Sequence, residues 1–166
     1  NSGSVRLEGE LGRRSLLAAP DLGLRCDLTN SFTVEGWFRK EGNPGERYWC
    51  LAGARDDSNG WTLSLRPDEG GVRFHLHVSD VNQGGRLQFE RFFHSAEVSG
   101  NTGWSHVALV YDHLRGGCGV WELFLDGVPQ GEIRNPAAPD RSHGWRDFTL
   151  GGRVSFSHSY VGGMDC

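Results

Sequence analysis

The side chains best suited to chemistry in this chain sit on short alternating runs. In Val72–Val78, the apolar Val72, Phe74, Leu76 and Val78 alternate with Arg73, His75 and His77. Residues two apart on a strand point the same way, so Arg73, His75 and His77 share a face. In Trp121–Asp126, the apolar Trp121, Leu123 and Leu125 alternate with Glu122, Phe124 and Asp126, which presents Glu122 and Phe124 together. Trp37 stands in a third run, Ser31–Lys40 (SFTVEGWFRK). With these strands as neighbours, their exposed faces bring Trp37, Arg73, His75, His77, Glu122 and Phe124 into one ligand-binding surface. Its chemistry is that of sugar recognition: an aromatic ring stacks on the apolar face of a sugar, and charged and amide groups hydrogen-bond its hydroxyls. Packing beneath a loop or against a neighbouring strand is the competing account of Trp37 and Phe124.

Metal chemistry finds less support. An H-x-H pair such as His75 and His77 binds zinc when a third ligand is near. The sequence identifies no such ligand, so we read a solvated or hydrogen-bonded pair. Asp56, Asp57 and Asn59 offer oxygen ligands, yet Asp and Asn are also what a turn requires there. Cys26, Cys50, Cys118 and Cys166 form no CxxC pair and have no zinc-ligand spacing. Cys50, in the apolar YWCLAG, reads as a small core residue. Disulfides fit an extracellular module, with the connectivity open.

Positioning these residues calls for an all-β frame. The chain has 166 residues, 25 of them glycine, with 11% aromatics and a single Met. That composition favours many short strands and tight turns over a helical bundle. Turn signals recur at Asn59–Gly60, Glu69–Gly71, Gly84–Gly85, Gly100–Gly103, Gly116–Gly117, Asp126–Gly127 and Gly162–Gly163. Besides the alternating runs, including Trp61–Leu65, strands are expected at Ser4–Glu8, Arg47–Ala52, Leu87–Phe93, Ser105–Tyr111 and Phe148–Leu150. A short helix or irregular crossing is expected over Leu11–Leu24, limited by Pro20 and Gly23. Asn135–Gly144 reads as a long loop. Trp37, Trp61, Trp104 and Leu123 are expected at or near the core. With no repeat and no βαβ rhythm, residues 1–166 read as one antiparallel two-sheet β-sandwich of jelly-roll type.

The formal net charge of −4, with Lys40 the sole lysine, removes the basic footprint of a nucleic-acid binder. No apolar segment approaches the length of a membrane span and no signal pattern opens the chain, so it reads as a mature or excised domain without membrane insertion.

Five motifs in order resemble the laminin-G-like jelly roll of the concanavalin A-like lectin/glucanase group. Leu7–Gly9 (LEG) is similar to its Phe-Asp-Gly opening and Phe32–Phe38 (FTVEGWF) to its Trp-bearing strand. Gly103–Asp112 (GWSHVALVYD) resembles its GxWxHVAxxYD strand, and Glu122–Gly127 (ELFLDG) its LYVDG hairpin. Thr149–Gly152 (TLGG) and Gly162–Asp165 (GGMD) resemble the closing signature. The family also has a His at the position of His106, which fits a structural hydrogen-bonding role. Two departures stand out: Glu8 replaces the usual Asp, and the chain stops at Cys166, where the last family strand would begin. An unpaired sheet edge would follow if part of that strand is missing.

The resemblance implies a recognition module without catalysis, belonging to a larger exported, extracellular or cell-surface protein. Its partner would be a glycan or an extracellular protein. Carbohydrate binding is the first expectation; protein–protein adhesion, or an accessory role beside a secreted glycoside hydrolase such as a sialidase, is the alternative. Glucanases of this fold carry an E-x-D-x-x-E run whose carboxylates, about 5 Å apart in retaining enzymes, act as nucleophile and acid. This chain lacks it, since Phe124 stands between Glu122 and Asp126. Arg66–Phe74 (RPDEGGVRF) is faintly similar to a sialidase Asp-box, but Arg66 and Arg73 hold its Ser and Trp positions, and we read a hairpin. Neither a G-x-S-x-G elbow nor a phosphate loop is present. By resemblance, a structural calcium joins the first and last strands, with Glu8 and Asp165 as ligands.

Overall fold

The computed structural model describes residues 4–7, 17–19, 28–40, 49–55, 59–69, 71–80, 87–98, 103–139, 148–150 and 162–165. Twelve strands lie in these segments: β1 Ser4–Leu7, β2 Leu17–Ala19, β3 Phe32–Lys40, β4 Trp49–Arg55, β5 Asn59–Asp68 and β6 Gly71–Asp80. They continue with β7 Leu87–Glu97, β8 Trp104–Asp112, β9 Val120–Leu125, β10 Val128–Arg134, β11 Phe148–Leu150 and β12 Gly162–Asp165. Two six-stranded antiparallel sheets form, one in the order β1-β12-β3-β8-β9-β10 and the other β2-β11-β4-β5-β6-β7. We call them the first and second sheet. The expected two-sheet antiparallel sandwich is the observed fold.

Alternation explains the core. Phe32, Val34 and Phe38 of β3, Val107, Leu109 and Tyr111 of β8, and Trp121 and Leu123 of β9 face inward from the first sheet. Trp61, Leu63 and Leu65 of β5, with Phe74, Leu76 and Val78 of β6, meet them from the second. Phe32 stacks on Trp61 at 5.4 Å between centroids, and Trp121 lies 5.7 Å from the same Trp61, so aromatic rings tie the two layers together. Fully burying each such side chain contributes about 1.5–3 kcal/mol.

A buried polar knot closes one corner. Trp121 Nε1 donates to Asn135 Oδ1 at 2.9 Å, and Asn135 Nδ2 donates to the Cys118 carbonyl at 2.9 Å and the Tyr111 hydroxyl at 3.2 Å. Tyr111 donates in turn to the Leu28 carbonyl at 3.1 Å. Gly119, at φ +92°, passes against the Tyr111 ring where a Cβ would collide with it. Only glycine accommodates both demands.

Several expectations change. Trp37 and Trp104 are 47% and 40% exposed, on the outer face of the first sheet and not in the core. Inward positions there belong to the opposite phase of β3 and β8. Leu17–Ala19, inside the segment expected as a short helix or irregular crossing, is strand β2, paired with β11; the rest of that segment lies outside the described residues. β12 is paired on both sides, with β1 and β3, so it is not an open edge. The Asp126–Gly127 turn is as expected: positive φ of 50° and 78° at successive residues suits a two-residue hairpin between β9 and β10.

Candidate functional site

The outer face of the first sheet carries an aromatic platform. On β3 the outward phase is Thr33, Glu35, Trp37 and Arg39; on β8 it is Trp104, His106 and Ala108. Register sets Trp37 opposite His106 and Arg39 opposite Trp104. The Trp37 and His106 rings meet edge-on at 5.2 Å, and the Arg39 guanidinium lies 5.4 Å from the Trp104 ring centroid. His106 is held from two sides: its backbone N–H donates to Asp126 Oδ1 at 2.7 Å, and its Nε2 is 3.9 Å from Glu35 Oε2. The platform therefore offers two accessible indoles edged by a guanidinium, an imidazole and a carboxylate.

Farther along this face, Glu122 and Glu132 stand opposite each other on β9 and β10. Like charges so placed repel, and Arg115 answers both, at 2.9 Å to Glu122 and 2.8 Å to Glu132. Arg134 adds a 2.8 Å contact to Glu132. The hydrogen bond and charge of Glu122 raise the Arg115 pKa above its ordinary value, and the Arg134 hydrogen bond holds the Glu132 carboxyl below its own. Glu122 is thus committed to an ion network, and Phe124 is half-buried opposite Ala108 and Pro129.

The second sheet's outer face is polar and partly buried: Thr62, Ser64, His75 and Ser79 are buried, while Arg66 and His77 beside them keep some exposure. His75 and His77 point out of it beside Glu90 and Phe92 of β7. His77 Nδ1 lies 3.1 Å from Glu90 Oε1, and His75 Nε2 lies 3.6 Å from Glu90 Oε2. Arg66 of β5 reaches the same Oε2 at 3.2 Å and lies over the Phe92 ring at 5.8 Å.

The sequence matches a family model described as the concanavalin A-like lectin/glucanases superfamily over residues 11–166. The chain belongs to that superfamily. Among solved structures, this lectin/glucanase domain is similar to domains LG4-5 of the mouse laminin alpha1 chain, with TM-score 0.65, 16% identity, 98% of this chain and 40% of that one covered. It is also similar to the binding domain of botulinum neurotoxin serotype D, with TM-score 0.61, 13% identity and coverages of 98% and 37%. A third is the endo-beta-1,4-glucuronan lyase of the fungus Trichoderma reesei, with TM-score 0.57, 12% identity and coverages of 98% and 76%. The chain spans less than half the length of the first two. No curated protein matches by sequence. The fold thus hosts binding domains and an enzyme alike, and function has to be argued from the sites.

Within the lectin/glucanase sandwich, the six expected ligand residues do not form one surface. Trp37, Glu122 and Phe124 belong to the first sheet, whereas Arg73, His75 and His77 belong to the second. Both sets point outward, so the core separates them. Trp104, Arg39, Glu35 and Arg66, Glu90, Phe92 are partners that the sequence did not single out for these faces. Cross-strand register supplies them, and the one signal in the sequence was the alternation of each run. Among the described residues, no cluster of three or more His, Cys, Asp or Glu is arranged to hold a metal. Glu8 lies outside the described residues. Asp165 pairs with Ser4 and Trp37, while the other end of the β1–β12 ladder joins Leu7 to Gly162. Asp56 and Asp57 also lie outside the described residues.

Proposed function

We propose that this domain is a non-catalytic carbohydrate-recognition module of an exported protein, and that Trp37 and Trp104 form its glycan platform. The observation that carries this is the pair of accessible indoles on adjacent strands, edged by Arg39, His106 and Glu35. Left 47% and 40% exposed, the two indoles keep apolar surface that the sandwich does not cover. They give a pyranose ring two stacking surfaces with donors and an acceptor at the rim. Recognition without turnover fits the sequence, which lacks the E-x-D-x-x-E carboxylate run that glycoside hydrolysis on this fold uses.

Adhesion to a protein is the second reading, favoured by Leu114, 73% exposed beside a cleft of about 190 Å³ lined by Thr29, His113, Gly117, Ala138 and Pro139. A glycan array probed with the wild type, Trp37→Ala, Trp104→Ala and Leu114→Asp separates the two. Glycan capture that either tryptophan change abolishes, and that Leu114→Asp leaves intact, is the expected result. Capture unaffected by both tryptophan changes overturns the platform.

A further inference from the structure

The second sheet's outer face holds polar groups that neither the core nor the aromatic platform employs. One row crosses it in register: Thr149 of β11, Gly53 of β4, Thr62 of β5, His77 of β6 and Glu90 of β7. The next row sets Ser64, His75 and Phe92 side by side. At the β7 end, one guanidinium and two imidazoles converge on a single carboxylate, that of Glu90. Glu90 stands level with His77 on β7 and its side chain is 47% exposed, so solvent reaches the cluster at this end. The position thereby accepts a planar carboxylate, held by an Arg fork and imidazole nitrogens, and is reached from outside.

A second observation points to a ligand. Thr62, level with His77 on the neighbouring strand, is 2% exposed, and its Oγ1 has no hydrogen-bond partner among the described residues. Gly53 lies beside it on the same row, where a Cβ would come within 3.4 Å of that oxygen. A buried hydroxyl left without a partner is costly, roughly 1–3 kcal/mol by mutational data. A sugar hydroxyl reaching this row would satisfy it.

We propose that this face is a second binding site, for a saccharide carrying a carboxylate such as a hexuronate unit, in which Glu90 is the internal counter-ion that the ligand displaces. The ligand carboxylate takes the place of the Glu90 carboxylate on Arg66, His75 and His77, and its hydroxyls reach toward Thr62. Phe92 flanks the sugar. The site shares no residue with the Trp37 and Trp104 platform, so either can fail without the other.

The sign of the Glu90 effect tests this. A tetrasaccharide of β-1,4-linked glucuronate and its neutral counterpart, cellotetraose, are titrated calorimetrically into the wild type, Glu90→Gln, Arg66→Gln and the Trp37→Ala/Trp104→Ala double variant. An exposed ion pair is worth at most about 1 kcal/mol, so freeing Arg66 from Glu90 should tighten the acidic tetrasaccharide roughly two- to fivefold. Loss of the Arg66 charge should weaken it about tenfold or more. The double tryptophan variant should still prefer the acidic tetrasaccharide over cellotetraose. Weaker binding by Glu90→Gln, indifference to Arg66→Gln, equal binding of cellotetraose here, or no binding by wild type and Glu90→Gln alike overturns the proposal.

Discussion

The two outer faces of the sandwich invert the usual rule in opposite ways. The first sheet leaves two indoles in solvent, while the second buries Thr62, Ser64, His75 and Ser79. Exposed large apolar groups and buried polar ones are the departures that carry information, since folding alone favours neither. The inner faces obey the rule at their centre, with Trp61, Trp121, Phe74 and Leu123 fully buried. The contrast teaches where stability and recognition reside. Inward residues hold the fold, and the outward ones on both sheets are where we propose that ligands bind.

Tryptophan substitutions probe that division with the largest effect. Trp121→Ala should lower stability by about 3–5 kcal/mol, because it opens a core cavity and strands Asn135. Trp37→Ala and Trp104→Ala should each cost under about 1 kcal/mol, as partly exposed positions do. Chemical denaturation of the three variants checks the ordering. A Trp104→Ala loss as large as that of Trp121→Ala would break the distinction between the faces.

The polar knot gives a smaller effect. Asn135→Ala removes hydrogen bonds to Trp121, Tyr111 and Cys118, and a loss of about 1–3 kcal/mol is expected in the same melts. An unchanged midpoint would show that water takes over those partners.

The smallest effect belongs to the ion network of the first sheet. The Glu132 carboxyl is held below its ordinary pKa, first by the Arg134 hydrogen bond. A depressed pKa in the folded state means that its contribution is present above the ordinary carboxylate range and lost as pH falls through the folded value. Glu132→Gln should therefore slightly flatten the acid limb of stability against pH, and salt should shrink the difference. A variant that follows the wild type at every pH would leave Glu132 without a part in stability.

Much of the fold was legible because the strands keep period two. Trp61, Leu63 and Leu65 face inward as their alternation indicates, and Phe148–Leu150 forms a strand with the expected bounds. Phase was harder in β3 and β8, where both phases carry large apolar groups. Trp37 alternates with Gly36 and Phe38, and Trp104 begins a run whose inward members are Ser105, Val107, Leu109 and Tyr111. Sheet membership was not legible, because a strand's own pattern does not say which sheet it joins. The shared face of His75 and His77 was legible from their spacing. Their carboxylate was not, since Glu90 arrives from β7 through a register that a bulge between Arg73 and His75 shifts. Asn135, read as the start of a loop, gave no local sign of the buried bonds it makes.

The claim that the outward indoles are the recognition surface is tested most directly by following the indole N–H resonances of the six tryptophans during titration with a glycan that the array identifies. The signals of Trp37 and Trp104, assigned by single Trp→Phe variants, should move together and saturate, while those of Trp61 and Trp121 stay in place. Saturable binding that leaves Trp37 and Trp104 unmoved would contradict the account.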